Sequence, residues 1–224
     1  MTKVVAIIQA RLGSKRLPGK MMLSLHGYPI IDWVLHRVKR ARRLDQIVLA
    51  IPDGSRDDPL AAAGEAAGVN VFRGSEDDVL GRFCAAAQQF EADLIVRICA
   101  DNPLIDPVEI DNLVDHFKSI EVDYAYNNVP RQNKYPDGLG AEIISAQLLQ
   151  RLGELAILKA HREHCFSYIW DNTDDFEIST FDPPRSVLHK PNLKLDVDTL
   201  DDYLRLSALE INIDIDAPSL LEAF

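Results

Sequence analysis

The sequence predicts an α/β fold built on a mostly parallel β-sheet. Two observations lead to this prediction: short runs of apolar, β-branched residues recur along the first half of the chain, and stretches with helical periodicity lie between them. Strands that are buried on both faces of a parallel sheet have this continuous apolar character. The regular alternation of strands and helices favours right-handed crossover connections within one sheet.

Four apolar runs are the predicted strands of the parallel part of the sheet. They are VVAII (4–8), QIVLAI (46–51), VNVF (69–72) and DLIVRI (93–98). Three of the intervening helices carry start signals: Pro29 in the first turn of a helix with an apolar stripe, Ser75 with Asp78 as a capping box, and Asp106 as the N-cap before Pro107.

The second half of the chain has a different pattern. Tyr, Asn and Pro crowd residues 122–145, where DYAYNN and GAEIIS predict the strands of a small mixed element. A helix-rich segment (148–170), strands near 176–180 and 193–197, and a helix capped by Thr199 follow. No internal repeat is visible, so we expect a single domain over 1–224 with 122–170 as a distinct subregion.

The composition excludes several classes of protein. The chain has 224 residues, 47% of them hydrophobic, and a formal net charge of -11, which argues against a nucleic-acid-coating surface. No window approaches the roughly 20 apolar residues that a membrane span needs, and no export signal opens the sequence. Three widely spaced cysteines outside any CxxC pair predict reduced thiols. We therefore expect a cytoplasmic protein that binds neither nucleic acid nor membrane.

A basic loop directly follows the first predicted strand. It carries four cations within ten residues, namely Arg11, Lys15, Arg16 and Lys20. Without them the rest of the chain would have a net charge of -15 (-11 minus 4), so the loop is a local electropositive spot. Gly13 and Gly19 let the backbone turn and approach a ligand. Guanidinium and ammonium groups around such glycines are typical of a polyphosphate site.

The loop is not one of the two common nucleotide-binding motifs. Five residues separate Gly13 from Gly19, Pro18 lacks an amide donor, and Met21 stands where a P-loop has its magnesium-binding hydroxyl. A G-x-G-x-x-G dinucleotide motif is also absent. An ordinary solvated basic turn is the alternative at this point.

Acidic residues follow two predicted strands and are candidates for a metal site. Asp101 stands just past the strand 93–98, where the ligands of parallel sheets gather. Asp196 and Asp198 lie two residues apart at the end of the predicted strand 193–197 and would point to one side of it. Carboxylates placed in this way can share a divalent cation. Each acid could instead form a turn or cap a helix.

Several motifs together resemble one enzyme family. QARLGSKRLPGKMM is similar to the nucleotide-binding signature R-x-G-S-x-R-L-P-G-K of the sugar-acid cytidylyltransferases, which make CMP-ketodeoxyoctulosonate and CMP-sialic acids. GSEDDVLGRF, RICADNPLIDP, YPDGLGAEIIS, HREHCFSYI and LDVDTLDDY resemble the branch named after spore coat polysaccharide biosynthesis protein F. The resemblance covers nearly the whole chain. It implies a Rossmann-like nucleotidyltransferase fold and transfer of CMP from CTP to an acidic or modified sugar, with release of pyrophosphate.

The resemblance also implies roles for the loop cations and the acids. Arg11 and Lys20 would hold the triphosphate, with Lys15 and Arg16 beside them. Asp101 and Asp198, with Asp196 as a third candidate, would hold Mg2+, because ADNP matches the family's G-D-E-P acid and DVDT its D-x-D-T. Transfer of a phosphoryl group depends on groups that position the phosphates and neutralise their charge, and cations together with a carboxylate-bound Mg2+ would supply both.

The residues expected on the base and sugar sides are less sharply defined. Arg73 and Ser75 follow the third strand, where the family reads cytosine. Arg97 lies within a buried strand, so its guanidinium must meet either substrate or a core carboxylate. By resemblance His164 and Tyr168 lie near the acceptor sugar, and Asp137 is either a turn residue or a sugar-side acceptor. The family also suggests a homodimer in which 122–170 makes the subunit contact and completes the acceptor side.

The chain departs from the octulosonate branch at several positions. Asn102 replaces an acid, EDDVLGR replaces S-G-T-D-R, and Leu200 replaces a proline. These changes leave the acceptor open and keep two alternatives in view: a glycosyltransferase that uses DVDT as a D-x-D motif, and a non-catalytic nucleotide-binding protein. The spacing of His161, His164 and Tyr168 predicts that all three lie on one face of a single helix. A zinc pair formed by His161 and His164 lacks a third ligand.

Overall fold

The computed structural model describes residues 2–222 and 224. Its strands are β1 (Val4–Gln9), β2 (Ser24–Leu25), β3 (Tyr28–Pro29), β4 (Gln46–Pro52), β5 (Asn70–Gly74), β6 (Leu94–Cys99), β7 (Tyr124–Tyr126), β8 (Glu142–Ser145) and β9 (Ile178–Thr180). Its helices are α1 (Ile30–Val38), α2 (Asp58–Ala67), α3 (Val79–Gln89), α4 (Pro107–Ser119), α5 (Ala146–Leu155), α6 (Lys159–Glu163), α7 (Ser167–Asp171), α8 (Leu200–Ser207) and α9 (Ala217–Glu222).

A seven-stranded sheet organises the molecule, in the order β5-β4-β1-β6-β8-β7-β9. Strands β5, β4, β1 and β6 are parallel to one another. Strand β8 runs antiparallel to both β6 and β7, and β9 is parallel to β7. The predicted α/β fold with a mostly parallel sheet is confirmed, and the predicted mixed element is the second half of this same sheet.

The core lies on both faces of the sheet, as the continuous apolar strands predict. In β1, Val4, Ala6 and Ile8 pack against one face with α1, α2 and α4, whereas Val5 and Ile7 face α3 and α5. All five of these side chains are fully buried. Because successive side chains of a strand alternate between faces, only a strand covered on both sides has this pattern.

The predicted strand over 193–197 is wrong. Its alternation is real, since Leu195 and Val197 are buried and the residues on either side of Leu195, Lys194 and Asp196, are charged. However, its backbone bonds to turns: the Leu195 amide donates to the carbonyl of Asp137 at 2.9 Å, and the Val197 amide to the carbonyl of Asp101 at 2.8 Å. The segment forms only an isolated bridge between Asp137 and Lys194. The alternation of apolar and polar residues therefore indicated correctly which side chains are buried, but not that the backbone would bond to turns instead of a neighbouring strand.

Two of the predicted helix caps are confirmed and one is wrong. Asp106 accepts from the amides of Val108 and Glu109, and Thr199 forms a capping box with Asp202. In contrast, α3 begins after Asp78, whose carboxylate accepts from the amide of Gly81. Ser75 lies outside that helix and accepts from the Asp78 amide at 3.0 Å. Pro29 also stands one position earlier than predicted, as the N-cap of α1.

The helices and cysteines of the described residues allow two further observations. No helix among residues 2–222 combines the length and the apolar character needed to span a bilayer. Cys84, Cys99 and Cys165 are all free thiols, and Cys165 is buried.

We expect Asp106→Ala to be strongly destabilising. Besides capping α4, Asp106 accepts from the Ala217 amide at 3.2 Å and lies 3.7 Å from the fully buried Arg37. Its removal leaves a buried guanidinium without a carboxylate, which costs about 3–5 kcal/mol in the free energy of unfolding. Urea denaturation of both proteins measures this loss.

Ser145→Ala is the matched control for the cap alone. Ser145 caps α5 by accepting from the Leu148 amide and has no charged partner among the described residues. Its loss is expected to cost about 1 kcal/mol. Equal losses in the two variants would contradict the role assigned to the Arg37–Asp106 pair.

Candidate active site

The basic loop that follows β1 is folded against the carboxyl ends of the parallel strands. The Leu12 amide donates to the buried Asp57 carboxylate at 2.7 Å, and the Gly19 amide donates to the carbonyl of Leu12 at 3.1 Å. Gly19 has a φ of 69°, a left-handed conformation that glycine adopts without strain. These contacts close the loop on itself and lead the chain into a short 3-10 turn at Lys20–Met22.

Lys20 is the central residue of the site. Its ammonium donates to Asp101 Oδ2 at 2.9 Å, to Asp198 Oδ1 at 3.2 Å and to the carbonyl of Val197 at 2.8 Å. Only 7% of the residue is exposed, since the neighbouring Met21 anchors the turn in the core. Three distant parts of the chain therefore meet at one nitrogen.

The other loop cations surround a cleft beside Lys20. This cleft, with a volume of about 350 Å³, is lined by Arg11, Lys15, Arg16, Lys20, Asp101, Gln9 and Glu163, among others. Arg16 donates to Asp198 Oδ1 at 2.7 Å, whereas Arg11 has only a 3.7 Å contact with Glu163. The structure thus brings together all four predicted cations in one cleft. We name it the phosphate cleft, after the ligand that the sequence predicts for these cations.

Asp101 and Asp198, the two carboxylates that contact Lys20, are suited to binding a divalent cation. No group of three or more His, Cys, Asp and Glu side chains within the described residues could hold a metal by itself. Mg2+, however, is usually held by one or two carboxylates together with substrate phosphates. Asp101 and Asp198 fit this requirement, because their carboxylates already gather around one positive charge.

Asp196 and Asp137 lie beside this pair rather than in contact with Lys20. Asp196 Oδ2 is 3.4 Å from Lys194 Nζ, and its Oδ1 is buried with no hydrogen-bond partner among residues 2–222 and 224. Burial, followed by the charge of Asp137, raises the pKa of Asp196 to about 6. Burial likewise raises the pKa of Asp137, and the charges of Asp101 and Asp198 act in the same direction. Asp137, for which the sequence left a turn role and a sugar-side role open, therefore lies near these acids.

The residues predicted for the base side have structural partners in this protein. Arg73 donates to Asp58 Oδ1 at 2.6 Å and to the carbonyl of Gly54 at 3.3 Å, so it holds the segment after β4. Ser75 belongs to the turn before α3, as described above. Neither residue lines the phosphate cleft, and a contact of either with a base remains a prediction.

Arg97 resolves one of the alternatives that the sequence left open. It stands opposite Glu142 in the antiparallel pairing of β6 with β8, and the two side chains form an ion pair. Glu142 Oε1 also accepts from the Tyr124 hydroxyl at 2.6 Å, and burial raises the pKa of that hydroxyl well above its usual value. Arg97 is thus paired with a core carboxylate while it lines a second cleft.

The single helix expected to carry His161, His164 and Tyr168 is wrong. The chain forms two short helices, α6 and α7, with His164 at the end of the first. His161 binds Asp171 at 2.8 Å and packs edge-to-face on Tyr168 at 5.3 Å between ring centroids. His164 lines the second cleft, but Tyr168 does not. Helix α6 ends at Glu163 and α7 begins at Ser167, so the helical spacing does not continue from His161 to Tyr168.

Sequence reasoning missed several residues around the two clefts. Glu142 had a usable signal, since a lone acid in an apolar strand and a lone arginine in another predict a cross-strand pair. Gln9, Glu163, Asn128 and Arg131 gave none, because polar residues at strand ends and in loops are common.

Comparison with known proteins agrees with this geometry. The sequence model of the cytidylyltransferase family matches residues 5–181. The chain belongs to the cytidylyltransferase family. The resemblance to sugar-acid cytidylyltransferases is thereby confirmed, and so is an enzyme of the nucleotidyltransferase class.

Three relatives of this cytidylyltransferase-family chain illustrate the similarity. Spore coat polysaccharide biosynthesis protein SpsF of Bacillus subtilis is 32% identical over 215 residues, which cover 93% of this chain and 87% of that protein. A 3-deoxy-manno-octulosonate cytidylyltransferase of Bdellovibrio bacteriovorus is 35% identical over 117 residues, 51% of this chain and 46% of its own. The solved structure of a cytidylyltransferase from Leptospira borgpetersenii superimposes with a TM-score of 0.90 at 31% identity, covering 99% and 93% of the two chains. The predicted Rossmann-like nucleotidyltransferase fold is confirmed.

We expect Asp196→Asn to stabilise the protein at high pH. Because folding raises the pKa of Asp196 to about 6, the folded state favours the protonated acid. The destabilisation appears as pH rises from the unfolded pKa of about 4 through the folded value, and it is complete above that value. Chemical denaturation should show a gain about 1 kcal/mol larger at pH 8 than at pH 4.5, after allowance for solvent screening.

Asp201→Asn serves as the control, because Asp201 is exposed in the first turn of α8. If the difference in stability between the two variants did not change with pH, the raised pKa of Asp196 would be contradicted.

Proposed function

We propose that this protein transfers CMP from CTP to a sugar, with release of pyrophosphate, for the synthesis of a surface polysaccharide. One observation carries the proposal: a buried ammonium, Lys20, lies against Asp101 and Asp198 in a cleft lined by three further cations. A cleft of this kind neutralises a triphosphate and provides carboxylates for its metal ion. The name of SpsF supports a polysaccharide role, and the name of the octulosonate enzyme supports a sugar acid as the acceptor.

The loop residues would bind the triphosphate. Lys20 is the best placed, because its ammonium is fixed at three points and cannot move far from the cleft. Lys15 has no carboxylate partner within the described residues, and Arg11 has only the 3.7 Å contact with Glu163 at the surface, so both charges are available to phosphate oxygens. Arg16 would exchange its exposed contact with Asp198 for a phosphate, since a surface ion pair contributes little stability.

Asp101 and Asp198 would hold the metal, with Asp196 behind them. Mg2+ bound at these carboxylates would neutralise charge on the phosphates and orient them. Asn102, which replaces an acid of the octulosonate branch, is buried and takes no part in the contacts to Lys20. The substitution therefore leaves both carboxylates that contact Lys20 in place.

The chemistry requires no covalent intermediate on the protein. A sugar hydroxyl attacks the α-phosphorus, the bond to the pyrophosphate oxygen breaks, and the hydroxyl proton is lost. Cys99 is the thiol that lines the phosphate cleft, and burial raises its pKa to about 12. It is therefore a poor nucleophile. Catalysis would come from positioning and from charge neutralisation.

Lys20→Ala is expected to lower kcat/KM for CTP by about 10³-fold, since Lys20 is a preorganised cation in a largely buried site. The measurement is Mg2+-dependent release of pyrophosphate from CTP, with GTP, UTP, ATP and dTTP in parallel, against a panel of sugar acids. Asp101→Asn should cause a similar loss, through the metal and not through nucleotide binding.

Lys159→Ala is the matched control, because Lys159 is an exposed lysine of α6 outside the phosphate cleft. Its activity should equal that of the unmodified protein. If CTP fails to bind in calorimetry, or binds equally well to Lys20→Ala, the proposed reaction is overturned. If CTP binds in a Lys20-dependent way but releases no pyrophosphate with any acceptor, a non-catalytic nucleotide-binding protein is the better description.

A further inference from the structure

A second cleft of about 490 Å³ lies beside the phosphate cleft. Three aromatic residues line it, Tyr124, Phe166 and Trp170, together with several polar and charged residues. Aromatic residues together with a few fixed polar groups are typical of sites for small organic molecules.

The two clefts share one wall. Arg97 lines the second cleft, and its Nη2 donates to Oε1 of Gln9 at 3.3 Å, while Gln9 lines the phosphate cleft. Glu163 and His164, consecutive in sequence, line one cleft each. A molecule bound in the second cleft would therefore lie next to the nucleotide.

The second cleft contains one cation whose charge is not balanced. Arg97 is neutralised by Glu142, and Asp171 is engaged by His161. Arg131 has no carboxylate partner and no side-chain hydrogen bond among the described residues, and it is exposed at the cleft. The Arg131 guanidinium is therefore available to an anionic ligand in this cleft.

Arg131 is held in place without its N–H groups being used. Its guanidinium carbon lies 4.1 Å from the centroid of the Trp170 ring. Its carbonyl accepts from the Tyr126 hydroxyl at 2.6 Å and from Asn133 Nδ2 at 3.0 Å, and Tyr126 in turn packs on Trp170 with 5.2 Å between centroids. A guanidinium stacked on a ring keeps its planar edge free, and that edge matches a carboxylate.

Two buried atoms of the same cleft also lack partners. Asn128 Oδ1 and Arg97 Nε have no hydrogen bond within the described structure. Buried polar groups without a partner are costly, so they favour a ligand that supplies donors and acceptors. A polyhydroxylated ligand meets this requirement and an apolar one does not.

We propose that Arg131, stacked on Trp170, binds the carboxylate of the acceptor and thereby makes the enzyme specific for acidic sugars. This inference rests on the proposed cytidylyl transfer and adds to it the residue that selects the acceptor. Arg97 is excluded from this role by its pairing with Glu142, although it is the more deeply buried arginine.

The test compares acids with their uncharged esters. Binding of 3-deoxy-manno-octulosonate, N-acetylneuraminate and glucuronate, and of the methyl ester of each, is measured by calorimetry with and without α,β-methylene-CTP, which cannot release pyrophosphate. Arg131→Gln is expected to weaken binding of the acids that bind by about 10- to 100-fold, the range of a charge-assisted hydrogen bond. Ester binding should not change, and Arg131→Lys should restore part of the loss.

Arg151→Gln is the control, since Arg151 is an exposed arginine of α5 outside both clefts. The inference is overturned if acids and esters bind alike, if Arg131→Gln weakens both equally, or if no acid binds while the nucleotide analogue does. If the analogue itself does not bind, the proposed cytidylyl transfer fails. In that case the binding of acids and esters measured without nucleotide still tests whether Arg131 binds the carboxylate.

Discussion

The site depends on one ammonium group shared by two carboxylates and a carbonyl. Lys20 brings together the loop after β1, the turn after β6 and the segment before α8. A buried cation is stable only when it is paired in this way, and the paired acids need the cation equally. Stability of the fold and the arrangement of the site therefore both require that Lys20 stay paired with Asp101 and Asp198. The loop carries four positive charges in a protein of net charge -11. Asp101 and Asp198, from distant parts of the chain, balance part of that charge.

The antiparallel strand β8 has a comparable role on the other side of the site. Its insertion between β6 and β7 puts Glu142 opposite Arg97 and closes the parallel part of the sheet. The resulting ion pair forms the wall between a cationic cleft and an aromatic one. Because β7 and β8 are antiparallel, the loop 127–140 can connect them directly and lie beside α7. Parallel strands would need a longer crossover connection between them.

The sequence predicted the parallel strands, the loop cations and the acids Asp101 and Asp198, because these depend on local patterns. Apolar runs identify buried strands, and residues at strand ends gather at one edge of a parallel sheet. Three of the failures share one cause, because they depend on distant partners. Leu195 and Val197 bury as strand residues would but bond to turns, Tyr168 turns away from His164 at a helix break, and Arg131 meets Trp170 only after both elements have packed.

The contact between Lys20 and Asp198 spans 178 residues of sequence and has a consequence for folding. Contacts of such high separation form late, because closing a long loop costs entropy before any contact can compensate for it. We expect the parallel strands, which pair over shorter separations, to assemble first. A species with its sheet formed but with the segment before α8 undocked would have native secondary structure and no organised phosphate site. Recovery of nucleotide binding during refolding should therefore lag behind the recovery of circular dichroism.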